Sequence, residues 1–187
     1  MCLKLCKTVK VKTKDGKVVT LRRPRRSDVK QLQSFINSLV DEDAPILINE
    51  RATLKGEKEW LKWLLKDIGK NKKHCLVAVY KGEIIGNIEL RKGKGRNSHV
   101  AEYAIAVKGG CRNIGLATIM SKAILDIGKK DKEIKLIELG VLSVNKPAMQ
   151  LYKKLGFRQV TRLRKRFKYK EKYIDDIIMD LKGFGIA

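Results

Sequence analysis

No two cysteines stand in C-x-x-C spacing. Cys2, Cys6, Cys75 and Cys111 are scattered, and the two histidines, His74 and His99, lack the spacing of zinc-finger ligands. The pattern argues against a metal site, and a chain of 187 residues needs no disulfide framework to hold a core. No apolar run approaches the ~20 residues that cross a bilayer. The opening "MCLKLCKTVKVKTK" is basic but has no apolar secretory segment. Free thiols without an export signal point to a cytoplasmic protein with no membrane partner. Proline is scarce, at 3 residues, and neither a repeat nor a low-complexity linker divides the chain. A single domain over 1–187 is expected. Acidic residues are in the minority, 20 against 43 Lys+Arg, for a net charge of +23.

That excess favours polyanions: nucleic acid, an acidic membrane surface, or a phosphate-bearing cofactor. A solvated basic surface would carry the same charge. Stacking aromatics on the basic segments are few (Phe167, Tyr169, Tyr173), and no nucleic-acid recognition motif is present. Only weak, non-specific nucleic-acid binding is expected.

Along the chain, "TVKVK" and "KVVTL" flank a Gly turn and predict a hairpin at about 7–22. Val29, Leu32, Phe35, Ile36 and Leu39 repeat at helical spacing over about 28–40, with Ser27 or Asp28 as N-cap. A second helix is predicted over about 54–68, its apolar stripe made of Trp60, Leu61, Leu64, Leu65 and Ile68; both tryptophans read as core residues. "CLVAVY" and "EIIGNIEL" are strands joined by a two-residue turn, and Gly86 inside the second marks a bulge or close approach. "HVAEYAIAV" is too apolar to face water on one side. A helix at about 114–128 and another buried strand, "IKLIELGVLSV", follow it. "NKPAMQLYKKLG" is a short helix with Asn145 as cap, Pro147 in the first turn and Gly156 as stop. Two strands with a basic turn close the chain. The order ββ, α, α, βββ, α, β, α, ββ predicts an α/β domain around one central sheet.

Within "CRNIGLATIMSKAI", Gly115 and Ala117 sit at a helix mouth, with Arg112 just before. A helix N-terminus presents unpaired N–H groups and the positive end of the macrodipole. A pyrophosphate binds there if no side chain blocks the backbone. A helix of small residues packed tightly on a sheet would read the same way.

The combination of R-x-x-G-x-A with a second segment, Asn145, Ala148, Leu151, Tyr152, Gly156 and Phe157, resembles the GNAT acetyltransferase superfamily. The resemblance is specific over about 100–157, with Ala117 standing where glycine is commoner. It implies a single GNAT-like domain: a mixed, mostly antiparallel sheet splayed open at the cofactor site and flanked by about four helices. The acetyl-CoA core would span about 99–157 and a C-terminal hairpin about 157–181. Acetyl-CoA would lie between the strands at about 99–107 and 135–144. The resemblance implies contacts to the backbone of Ile105, Ala106 and Val107, to the turn Arg112, Asn113, Ile114, Gly115, Leu116, Ala117 and Thr118, and to Asn145.

Acetyl transfer to an amine needs a neutral nucleophile and a proton donor for the leaving thiolate. Tyr152, seven residues after Asn145, matches the family's tyrosine donor; a core tyrosine beside Leu151 and Leu155 is the alternative. Glu102 is the base candidate, the sole carboxylate in its strand, where an unpaired charge needs a partner or a raised pKa. A solvated or ion-paired glutamate is the alternative. The ribosomal-protein branch carries a base five residues before the asparagine; here that residue is Gly140, with Glu138 in reserve on the same face. The basic segment 162–172 would border the acceptor site, and alternation places Arg162, Arg164 and Arg166 on one strand face. A basic nucleic-acid-binding or nucleoprotein-associated protein that uses the fold as a scaffold is the alternative to an enzyme. The amine acceptor, and whether the chain forms a homodimer, stay open.

Overall fold

A computed structural model describes residues 8–183. Cys2, Cys6 and the first residue of the expected N-terminal hairpin lie outside them. The elements are β1 (Val9–Lys12), β2 (Val18–Arg22), α1 (Val29–Asp41), α2 (Leu54–Gly69), β3 (Lys73–Tyr80), β4 (Glu83–Lys92), β5 (Val100–Val107), α3 (Leu116–Lys130), β6 (Leu136–Leu142), α4 (Lys146–Lys154), β7 (Arg158–Tyr169) and β8 (Lys172–Leu181). This order is the one read from the sequence. The strands make one 8-stranded sheet, β1-β2-β3-β4-β5-β6-β8-β7. Every neighbouring pair is antiparallel except β5 with β6.

That parallel pair shapes the molecule. Val100, Ala101 and Glu102 face Leu136, Ile137 and Glu138, and there the pairing stops. β5 continues along β4 as far as Val107, while β6 continues along β8 as far as Leu142. The two central strands therefore part beyond Glu102, leaving a split in the middle of the sheet. The crossover that parallel strands require is supplied by α3, which packs on β3, β4 and β5.

The face beneath α3 and α4 buries Tyr103, Met120, Ile124, Ile137, Leu139, Phe157 and Met179. The opposite face packs Cys75, Val77 and Ile84 against Leu32, Phe35, Leu39, Leu61 and Leu64 of α1 and α2. At Gly86 a Cβ would stand 2.9 Å from Met120 Sδ. Glycine there lets α3 approach β4, as the sequence suggested, and a register shift lies between the facing residues Ala78 and Val79.

Three sequence expectations are corrected. Trp60 is 37% and Trp63 60% exposed. The buried stripe of α2 runs through Glu57, Leu61 and Leu64, which turns both indoles outward, and Lys66 lies over Trp63 at 4.7 Å. β5 does face water on one side: Glu102 and Ala104 are exposed because that face meets the split instead of a helix. Arg162, Arg164 and Arg166 do not share a face. The pairing of β7 with β8 breaks between Leu163 and Phe167, where Lys165 adopts φ 51. Arg162 consequently pairs with Asp175, and Arg166 with the next residue, Asp176.

Asp28 occupies the N-cap of α1 as expected but makes no cap bond. Its carboxylate instead accepts two bonds from Arg22, at 2.7 and 2.9 Å, and one from the Arg25 N–H.

A buried polar cluster ties β3 and β4 to the end of α3. His74 Nε2 lies 2.8 Å, and Lys92 Nζ 3.0 Å, from Asp131 Oδ2. Burial lowers the His74 pKa despite the attraction of Asp131. Burial raises that of Asp131, but bonds from His74, Lys92 and the Glu133 N–H outweigh it and hold the carboxyl below its ordinary value. Both folded values are depressed, so both groups contribute stability that is lost on acidification. Histidine acts first, because the unfolded chain takes up its proton at about pH 6.5. The melting temperature is expected to be level from about pH 8 to 7 and to fall below about 6.5. His74→Gln should remove that first decline, and a wild-type curve level down to pH 5.5 would contradict the assignment.

Candidate active site

At the mouth of α3, Gly115 is the N-cap in the left-handed region, φ 79, and Asn113 is also left-handed at φ 64. The Ile119 N–H is satisfied by Gly115 O at 3.1 Å. The preceding amides, Leu116, Ala117 and Thr118, belong to the helix's first turn, where the fold supplies no acceptor. The turn between β1 and β2 grips this loop: the Lys14 N–H donates to Ile114 O at 2.9 Å. The Lys14 side chain crosses Gly115, its Cγ 3.2 Å from where a Cβ would be. Arg112 points elsewhere. Its Nε donates to Val107 O at 3.1 Å, and its guanidinium pairs with Glu42 at the end of α1. The cation that stands over the helix mouth is thus Lys14.

Ile105, Ala106 and Val107 face Ile88, Asn87 and Gly86 of β4, while their other edge borders the split. Across it, Asn145 caps α4: Oδ1 accepts the Ala148 N–H at 3.3 Å, and Nδ2 donates to Pro45 O at 3.2 Å. The asparagine thereby ties α4 to the connection between α1 and α2.

Tyr152 is buried on α4, edge-on to Tyr103 at 5.7 Å and tilted against Phe157 at 5.9 Å. Burial alone pushes its hydroxyl up to about 12, so it is protonated at neutral pH. Tyr103, by contrast, shares a 2.7 Å bond with Ser121. Glu102 points to the opposite face of the sheet, exposed, with Arg91 Nε 3.2 Å away. Arg91 is its cross-strand partner, so register sets the ion pair. Tyr152 and Glu102 therefore lie on opposite faces of the sheet.

On the carboxylate face, a cavity of about 240 Å³ lies between the α1–α2 connection and the end of the sheet. Leu39, Ala44, Ile46, Leu47, Leu142 and Phe167 line it together with Asp43, Asn49, Lys168 and Tyr169, and its surface is more polar than apolar. The Tyr169 hydroxyl donates to Asp43 O at 2.8 Å, and Lys170 pairs with Asp43 at 3.2 Å. These bonds fix the basic β7–β8 hairpin as one wall.

A family profile for the acetyltransferase (GNAT) domain matches residues 21–178. The chain belongs to the GNAT acetyltransferase family. The L-amino acid N-acetyltransferase AaaT of Escherichia coli (strain K12) is 32% identical over 83 residues, covering 44% of this chain and 51% of that protein. The chain thus spans about half the length of this curated relative. A GNAT-family acetyltransferase from Streptococcus pneumoniae has a similar structure, with a TM-score of 0.79 at 20% identity, covering 88% of this chain and 98% of that one. The ribosomal-protein-S5-alanine acetyltransferase from Vibrio fischeri also reaches 0.79, at 17% identity, covering 93% and 96%.

This GNAT domain holds two groups that sequence reasoning missed. Lys14 lies about a hundred residues before the loop it covers, and nothing in "TKDG" signals the contact. Asp176 is buried beside Gly140; it adjoins Asp175 in sequence, but alternation sends the two to opposite faces. His99 is exposed. Among the described residues, no group of three or more His, Cys, Asp and Glu side chains could hold a metal ion. No helix among them is long and apolar enough to cross a membrane.

Proposed function

We propose that this chain transfers the acetyl group of acetyl-CoA to the amine of a small apolar α-amino acid, by direct attack in a ternary complex. The observation that carries the proposal is the split between β5 and β6, with the open helix mouth of α3 beside it. The donor set suits acetyl-CoA. Backbone at Ile105, Ala106 and Val107 offers a strand edge to amide groups, and the turn from Asn113 to Thr118 offers N–H groups to a pyrophosphate. Lys14 adds a positive charge above that turn, Arg112 braces it through Glu42, and Asn145 sets the entry of α4. Acetyl-CoA supplies an activated thioester. Tyr152 gives a proton to the departing sulfur, and a β5 amide near Ile105 stabilises charge developing on the carbonyl oxygen. Glu102, paired with Arg91, receives a proton from the attacking nitrogen through solvent.

The size of the cavity supports a small acceptor. Its 240 Å³ is below the roughly 300–1,000 Å³ of drug-sized sites. Leu39, Leu47 and Leu142 offer contact to one aliphatic side chain within an otherwise polar lining that suits the amine and carboxylate of an amino acid. The name of the AaaT relative agrees with an amino-acid acceptor. A nucleic-acid scaffold finds less support. Arg162 and Arg166 are paired with Asp175 and Asp176, Lys168 with Glu171, and Phe167 and Tyr169 line the cavity.

The test is thiol release from acetyl-CoA with L-leucine, glycine, spermidine and a peptide beginning with alanine. L-leucine should react fastest and spermidine slowest, since the basic hairpin repels polycations. Faster reaction with the peptide would replace the acceptor class. Absence of thiol release with all four amines, in a protein that binds acetyl-CoA, would reject the activity.

A further inference from the structure

An amino-acid acceptor arrives as an ammonium ion and must lose one proton before its nitrogen can attack. Glu102 is exposed and held by Arg91. A second carboxylate lies deeper on the same face of the sheet. Asp176 on β8 is only 7% exposed, and its cross-strand partner is Leu142, which lines the cavity. Gly140, two residues earlier on β6, borders the split. A Cβ built on it would stand 2.9 Å from Asp176 Oδ1 and 3.4 Å from Oδ2. The carboxylate thus occupies the space of the side chain that position 140 lacks, between the split and the cavity. Arg166 Nε lies 3.7 Å away, beyond hydrogen-bond reach.

We propose that Asp176 is the carboxylate that holds the acceptor's ammonium group and takes one of its protons, filling from β8 the place left empty at Gly140. Burial raises its pKa, against the pull of Arg166 and of the Val141 backbone, which suits a group that must accept a proton near neutrality. The ammonium first passes one proton to Asp176, which becomes a neutral acid. The freed lone pair then forms the C–N bond, the C–S bond breaks, and its electron pair leaves on sulfur. Sulfur takes the Tyr152 proton. The nitrogen sheds its second proton through Glu102 and solvent, the tyrosine is reprotonated from solvent, and Asp176 returns its own proton to solvent. The sum releases one proton, as acylation of an ammonium ion requires.

This assignment rests on the acetyl-transfer reading, and calorimetry with acetyl-CoA separates the two. The probes are L-leucine, a strongly basic amine, and L-leucinamide, an α-amine of the kind that titrates near 8. In Asp176→Asn at pH 7, kcat/KM for L-leucine should fall at least tenfold and that for L-leucinamide clearly less, with acetyl-CoA affinity within twofold of wild type. Gly140→Asp combined with Asp176→Ala should recover activity several-fold over Asp176→Ala alone. Retention of kcat/KM within twofold, or an equal loss with both amines, would overturn the proposal. If Asp176→Asn does not fold, failure of the Gly140→Asp combination to restore activity overturns it as well. A wild type that does not bind acetyl-CoA would overturn the acetyl-transfer reading and this role with it.

Discussion

Replacing Tyr152 with phenylalanine is expected to lower kcat by roughly 10- to 1000-fold, the usual span for one acid–base group, and to leave acetyl-CoA affinity within about twofold. The ring packs edge-on against Tyr103 and tilted against Phe157, and phenylalanine keeps that packing. What is lost is a hydroxyl that burial keeps protonated far above neutral pH. A thiolate of pKa near 8.5 leaves more readily when it is protonated as it departs. The variant should also lose less rate when the leaving thiol is more acidic, a pattern that packing damage would not produce. Intact turnover with weakened cofactor binding would make Tyr152 a packing residue.

Gly115→Glu should weaken acetyl-CoA binding at least tenfold, about 1.4 kcal/mol. Three effects act in the same direction. A side chain at φ 79 is strained by roughly 1–2 kcal/mol. A Cβ would crowd Lys14 Cγ at 3.2 Å and push aside the cation over the loop. The new carboxylate would also place negative charge at the turn proposed to hold the pyrophosphate. Gly115→Ala carries the strain without the charge and should lie between wild type and the glutamate variant by calorimetry. Unchanged affinity in a folded Gly115→Glu protein would remove the cofactor from this turn.

What the sequence made legible was local. The caps of α4, the small residues at the mouth of α3, the close approach at Gly86 and the order of elements all depend on residues a few positions apart. So did the candidacy of Tyr152, which needs only the spacing from Asn145. What stayed hidden depends on register and on long chain separations. Arg91 meets Glu102 because β4 and β5 pair in one particular register. Lys14 reaches Gly115, Glu42 reaches Arg112, and Asp176 fills the space at Gly140 only once the sheet is assembled. The bulge at Lys165 undid the alternation expected for β7, since one left-handed residue is enough to change which face follows. The tryptophans misled for a related reason. Trp60 lies within helical spacing of the buried leucines but at the edge of the stripe, and only the position of the sheet decides which edge is covered.

The parting of β5 and β6 also has a thermodynamic side. Main-chain donors and acceptors along an interrupted ladder must be satisfied by water or by something that takes a strand's place. A ligand with amides in an extended chain can act as that surrogate strand, and it binds the folded state alone. At a hundred times its dissociation constant such a ligand adds about 2.7 kcal/mol to the free energy of unfolding. The midpoint of denaturation then rises with the concentration of such a ligand.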